Sequence, residues 1–245
     1  MKNIQTGILK ILALLATTFF ALTASAQKPA AQLAQADSLF KAKQYTQSLG
    51  KYEELLLAKQ YSPAMLLKMA FIQEGLGVTS MGLYYLNLYY LATGDEQTLA
   101  KMQELAAKNR LEGYENPEAD RFYYYVNKYG YLVSLLLASF MVFALAWIYF
   151  QKQRNKKPKG AVAMLVVFML LLTANVNFPL KDSTVIITSG NTYLMNGPSA
   201  GAGVVGVVNE GNKLRLLAKQ DVWLKVQWFD QPVYVKENRV ASITL

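Results

Sequence analysis

The chain of 245 residues has no cysteine and no histidine, 53% hydrophobic residues and a formal net charge of +9. The two absences remove the thiol nucleophile, the imidazole base, disulfide staples, and zinc, haem and iron–sulfur sites of the usual ligand types. The basic excess leaves two kinds of partner, nucleic acid or a membrane surface, and its distribution along the chain decides between them.

The first 26 residues read as a secretory signal peptide. "MKNIQTGILK" carries Lys2 and Lys10, "ILALLATTFFAL" is an apolar core too short for a comfortable span, and Ala24 and Ala26 precede a cut before Gln27. Residues 27–112 are helical in pattern. "AQADSLFKAKQYTQSLGKYEELLLAKQ" and "KMAFIQEGLGVTSMGLYYLNLYYLAT" superimpose at a shift of 34, with Ala36 on Ala70 and Ser48 on Gly82. That period and the small residues at helix-crossing positions resemble the tetratricopeptide repeat. Tyr45 fits its turn, whereas Thr79 replaces the tyrosine of the second copy and the terminal proline is displaced to Pro63. A third helix from Asp95 reads as a cap or half-repeat. The resemblance implies protein binding along the face of the first helix of each repeat, here Leu33, Asp37, Phe40, Lys41, Leu67, Phe71 and Glu74. The stripe "LYYLNLYYL" (Leu83 to Leu91) reads as core.

Residues 113–130 read as a linker and interfacial segment. The acidic group Glu112, Glu115, Glu118 and Asp120 around Pro117 is expected to be a solvated linker and an acidic helix start. It is the densest place for carboxylate chemistry, and no catalytic or metal role is assigned to it. Tyr123, Tyr124, Tyr125, Tyr129 and Tyr131 are expected as headgroup anchors at one interface, with Trp147 and Tyr149 at the other.

Two uncharged apolar runs follow, "YLVSLLLASFMVFALAWIYF" at 131–150 and a second at 161–180, each long enough to cross about 30 Å of hydrocarbon. Between them residues 151–160 hold Lys152, Arg154, Lys156, Lys157 and Lys159. Residues 27–150 contain 11 basic and 11 acidic side chains, so the excess is concentrated in this short turn. A nucleic-acid surface needs cations spread over a folded face, so none is expected; short basic loops stay cytoplasmic. The reading is a transmembrane hairpin with both outer ends in the periplasm. Asn175 and Asn177 are expected to reach interface water or bridge the helices.

Residues 183–245 change period to short β-rich runs separated by Gly, Pro and Asn, a small all-β barrel of five or six strands. "NGPS" at Asn196–Ser199, "VVNEGNKLRLL" around Gly211, "VWLKVQW" with Trp223 and "VYVKENRV" resemble the bacterial Src-homology-3-like domain. Met195 stands where that family has an arginine, and Val233 and Tyr234 replace its Gly-Trp pair. A ligand face would use Tyr193, Trp223 and Tyr234, although Trp223 serves a barrel core equally well.

Signal peptide, tetratricopeptide-like helices, hairpin and Src-homology-3-like domain in this order resemble the BatE-type proteins of bacterial aerotolerance operons. The resemblance implies an inner-membrane protein with both soluble domains in the periplasm, acting beside Bat proteins that carry von Willebrand factor A domains in oxygen or stress tolerance. The residues themselves are read as a multidomain scaffold without cofactor or enzymatic activity. Two alternatives stand with it: a peptidoglycan-binding envelope protein acting through the barrel, and an accessory subunit of a transporter.

Overall fold

The computed structural model describes residues 30–177, 183–229 and 231–245. The predicted signal peptide and the last residues of the second predicted span lie outside them. The chain divides into two compact units, the first ending at Thr93 and the second covering Gly94–Thr244.

The first unit is helical. α1 occupies 30–41, followed by α2 (Tyr45–Leu57), α3 (Pro63–Gly75) and α4 (Thr79–Thr93). Pro63 stands at the first helical position of α3, where its missing N–H costs nothing, and the Ser62 hydroxyl accepts the Met65 N–H at 3.3 Å. Buried Ser48 closes α2 onto α1 by donating to the Ala36 carbonyl at 2.9 Å. In the α3–α4 pair Gly82 does the same without a side chain: a Cβ there would already meet the Ala70 oxygen at 3.7 Å. The two positions matched by the 34-residue shift thus make equivalent helix crossings. Tyr52, Met65, Leu66, Met69, Leu83, Tyr85 and Leu88 fill the core, and the tyrosine-rich stripe of α4 lies largely within it.

The second unit begins with α5 (Glu96–Asn109), capped by Asp95, whose carboxylate accepts the Gln97 N–H at 3.3 Å. The helix read as a repeat cap lies with this unit because its bonds run forward: Glu96 pairs with Arg121 at 3.1 Å and Gln103 donates to the Tyr114 carbonyl at 3.2 Å. α6 (Pro117–Gln153) is one continuous helix of 37 residues, so the segment predicted as linker is helical from Pro117 onward. No proline after Pro117 interrupts it, and Gly130 is the only glycine before the apolar run. α7 (Lys159–Asn177) packs back against it.

Lys128–Gln153 and Lys159–Asn177 are long and apolar enough to cross a membrane. Between them Phe140 stacks on Phe168 at 5.1 Å, Ala144 and Ala161 are fully buried, and the Asn175 amide donates to the Gly130 carbonyl at 3.1 Å and to Ser134 Oγ at 2.8 Å. Asn177 bonds within its own helix, to the Thr173 carbonyl. Asn175→Ala is expected to weaken the hairpin by about 0.5–1.5 kcal/mol, read as earlier loss of α6–α7 crosslinking in a denaturing-detergent titration.

Seven strands follow: β1 (Thr184–Ile187), β2 (Thr192–Met195), β3 (Val204–Val208), β4 (Lys213–Gln220), β5 (Trp223–Trp228), β6 (Gln231–Lys236) and, after a 3-10 turn at Glu237–Arg239, β7 (Val240–Ser242). The antiparallel order is β3-β2-β6-β5-β4-β1-β7. The expected barrel is therefore a sheet whose end strands β3 and β7 do not pair with each other, and its last predicted run divides into β6, the 3-10 turn and β7. Strand alternation sends Val185, Ile187, Leu194, Leu214, Leu224, Val226, Val233 and Val235 into one core.

Candidate functional site

Three features of the described residues are candidates. The first is the α1–α3 face of the helical unit. Leu33, Asp37 and Phe40 or Lys41 follow helical spacing on α1, as do Leu67, Phe71 and Glu74 on α3. Phe40 and Phe71 meet edge to face at 5.9 Å, and Tyr45 completes a triangle at 5.5 and 6.1 Å. Leu67 and Phe71 remain exposed, at 46% and 57%, and Lys41 and Glu74 are exposed beside them.

Asp37 is engaged inside the fold. Lys68 donates to its Oδ1 at 2.7 Å and the Tyr52 hydroxyl at 2.5 Å. Burial pushes the carboxyl pKa up, but these two hydrogen bonds and the Lys68 charge outweigh it and hold Asp37 below its usual value. Burial raises Tyr52, helped by the same carboxylate. Lys68 lies 5.7 Å over the Phe40 ring. Sequence reading gave Tyr45 a turn role only and missed Lys68, although Lys68 sits between two residues of the expected face.

The second candidate lies on the sheet, on the side opposite its core. Trp223 pairs with Lys236 and Lys225 with Tyr234, while Leu224 and Val235 alternate inward. A cleft of about 320 Å³ is lined there by Tyr193, Met195, Val204, Trp223, Lys236 and Arg239, among others. Trp223 is its floor: 8% exposed, outside the sheet's core cluster, with the Lys236 ammonium 5.6 Å from its ring. Tyr193 is 59% exposed at the rim. Tyr234 belongs to the same face, opposite Met195, without lining the cleft. The lining contains two cations and no acid, which fits an anionic or polar ligand with a flat apolar part. Lys236 escaped sequence reading because its place depends on the β5–β6 register, and Arg239 because it sits in the 3-10 turn that follows β6.

The third feature is the segment before α6. The segment docks on the sheet through backbone groups, Tyr114 and Asp120, while the Glu112, Glu115 and Glu118 side chains are exposed as expected, and Glu118 and Asp120 fall in the first turn of α6. Glu112 N–H donates to Asn212 Oδ1 at 2.8 Å, Lys213 N–H to the Glu112 carbonyl at 3.0 Å, and the buried Tyr114 hydroxyl to the Gly211 carbonyl at 2.9 Å. Lys213 Nζ reaches both Asp120 oxygens, at 2.7 and 2.8 Å, with the lysine side chain 6% exposed. Burial raises the Tyr114 hydroxyl pKa, and a hydrogen bond that protonated Glu112 donates to Glu115 raises that of Glu112. The partners are about 100 residues apart, a separation that local patterning does not report.

The tyrosines at the start of α6 divide accordingly. Tyr123 lies under Arg215 at 5.7 Å and Tyr124 is buried, whereas Tyr125, Tyr129 and Tyr131 are exposed. Lys152, Arg154, Lys156, Lys157 and Lys159 all lie exposed at the α6–α7 turn. Among the described residues no group of three His, Cys, Asp or Glu side chains is arranged to hold a metal ion. No protein-family model matches the chain, and no curated protein matches it.

Proposed function

We propose that the chain is a non-enzymatic inner-membrane scaffold that displays a tetratricopeptide-like protein-binding domain and a Src-homology-3-like domain to the periplasm, within a Bat-type complex linked to aerotolerance or stress. The observation that supports this most is the docking of residues 111–120 on the sheet. It joins the chain before α6 to the chain after α7, so both outer ends of the hairpin share one side, and five cations mark the opposite turn. The exposed Leu67–Phe71 ridge supports a protein partner at the helical unit. The cationic, aromatic cleft at Trp223 favours a second reading, in which the sheet domain holds a polar cell-envelope ligand such as peptidoglycan.

The chain has no cysteine, so single introduced thiols report topology without background. In intact spheroplasts an impermeant maleimide is expected to label Ser199→Cys fully and Lys157→Cys only after lysis; labelling of Lys157→Cys from outside overturns the orientation. Crosslinking of the wild-type chain in mild detergent is expected to capture a defined membrane partner. Leu67→Ala/Phe71→Ala, altering exposed side chains, is expected to lose it at least tenfold, and an undiminished complex rules this face out.

A further inference from the structure

We propose that the cytoplasmic end of α6 carries a binding site for one anionic glycerophospholipid, its phosphate on Arg154 and one acyl chain along Phe150, Trp147 and Phe143. This rests on the membrane reading above. A groove of about 260 Å³, almost wholly apolar, is walled by Phe143, Ala146, Trp147 and Phe150. Ala146 makes the gap between larger rings. Phe143, Trp147 and Phe150 are 60%, 44% and 61% exposed, so neither α7 nor any other described element covers the groove.

The spacing of these rings continues to a cation. From Phe143 to Trp147, Phe150 and Arg154 the steps are four, three and four residues, one stripe along a helix. Arg154 caps α6, its N–H still bonded to the Phe150 and Gln151 carbonyls at 3.2 Å, so it stays in line with the groove. Asn155, at φ +51, then turns the chain away. A planar guanidinium binds two phosphate oxygens at once, which a lysine ammonium does not.

Charge complementarity selects an anionic headgroup. No Asp or Glu occurs between Asp120 and Asp182, and Arg154 makes no ion pair among the described residues. The negative end of the α6 dipole is worth about half a charge, against the five cations of the turn. A zwitterionic headgroup would bring its own ammonium into that field. An anionic one is favoured by about fivefold for each basic residue it meets at the surface.

The test uses the full chain in nanodiscs, with Trp223→Phe and Trp228→Phe leaving Trp147 as the sole tryptophan, and acyl-brominated lipids as quenchers. Half-quenching by phosphatidylglycerol is expected at a mole fraction about fivefold lower than by phosphatidylcholine. Arg154→Gln is expected to abolish that preference, Lys156→Gln to keep most of it, and Ala146→Leu, which fills the groove, to weaken quenching by phosphatidylglycerol. Native mass spectrometry of the chain with its three tryptophans, released from mixed micelles, is expected to retain phosphatidylglycerol in preference and to lose it with Arg154→Gln. Equal half-quenching by the two lipids, or equal losses from Arg154→Gln and Lys156→Gln, overturns the site and leaves the membrane reading standing. Absence of quenching by either lipid overturns the membrane reading itself.

Discussion

Asp120→Asn is expected to release the start of α6 from the sheet, at a cost of about 3–5 kcal/mol. The substitution keeps the shape and one hydrogen-bond acceptor but removes the charge that compensates Lys213. That lysine is 6% exposed and lies 5.7 Å from the Tyr114 ring, with Asp120 as its ion-pair partner. Left alone, the ammonium must either stay desolvated or pull the segment open to reach water, and opening also gives up the Tyr114 and Glu112 hydrogen bonds. Amide exchange reads this directly, because the Glu112 and Lys213 N–H groups donate across the junction. Their protection is expected to fall by at least about a hundredfold, at 1.4 kcal/mol per tenfold change. The double change Asp120→Asn/Lys213→Met is expected to recover most of the loss, since replacing both members of a buried pair is often neutral. Unchanged exchange in the single variant would mean that the pair is already hydrated in solution.

How much of this was legible in the sequence depends on the range of the interaction. Repeat spacing exposed the Ala36/Ser48 and Ala70/Gly82 crossings because one helical hairpin brings them together. Apolar run length marked the membrane-length part of α6 and α7, and short β-rich runs marked the strands except that β6 and β7 fell within a single run. The strand order, and with it a sheet whose end strands stay apart, is a property of pairing that alternation does not carry. Of the expected sites, Phe40 and Phe71 do meet, since both follow the same repeat period. Asp37, expected at a binding face, is committed to Lys68 and Tyr52. The acidic stretch was legible at Glu112, Glu115 and Glu118, which are exposed, and misled at Asp120, which looks solvated when only neighbours are considered. Its partner is Lys213, 93 residues away, and no local composition distinguishes a carboxylate in water from one placed against a buried lysine.

Gly113→Ala is the change expected to damage this junction most for the fewest atoms added. Gly113 has φ +92, where an L side chain is strained, and a Cβ there would lie 2.0 Å from the Lys213 carbonyl oxygen and 2.8 Å from its carbon. Those are backbone atoms of β4, where Lys213 is paired with Ile186 of β1, so the strand has little freedom to yield. On the other side Gly113 is held between Glu112 and the buried Tyr114, both bonded to the sheet. The segment must therefore undock, with a loss of roughly 3 kcal/mol or more from strain and from the exposed Tyr114. Exchange and proteolysis are expected to rise at residues 111–116 while α7 and the sheet core keep their protection. Gly190→Ala is the matched control, since a Cβ there meets nothing within 4 Å, and it should leave the junction intact. If Gly113→Ala abolishes capture of the proposed partner without loss of membrane insertion, the proposed scaffold role depends on fixing the sheet at the head of the hairpin. If capture persists with the segment undocked, the two ends act independently, and the contact serves stability alone.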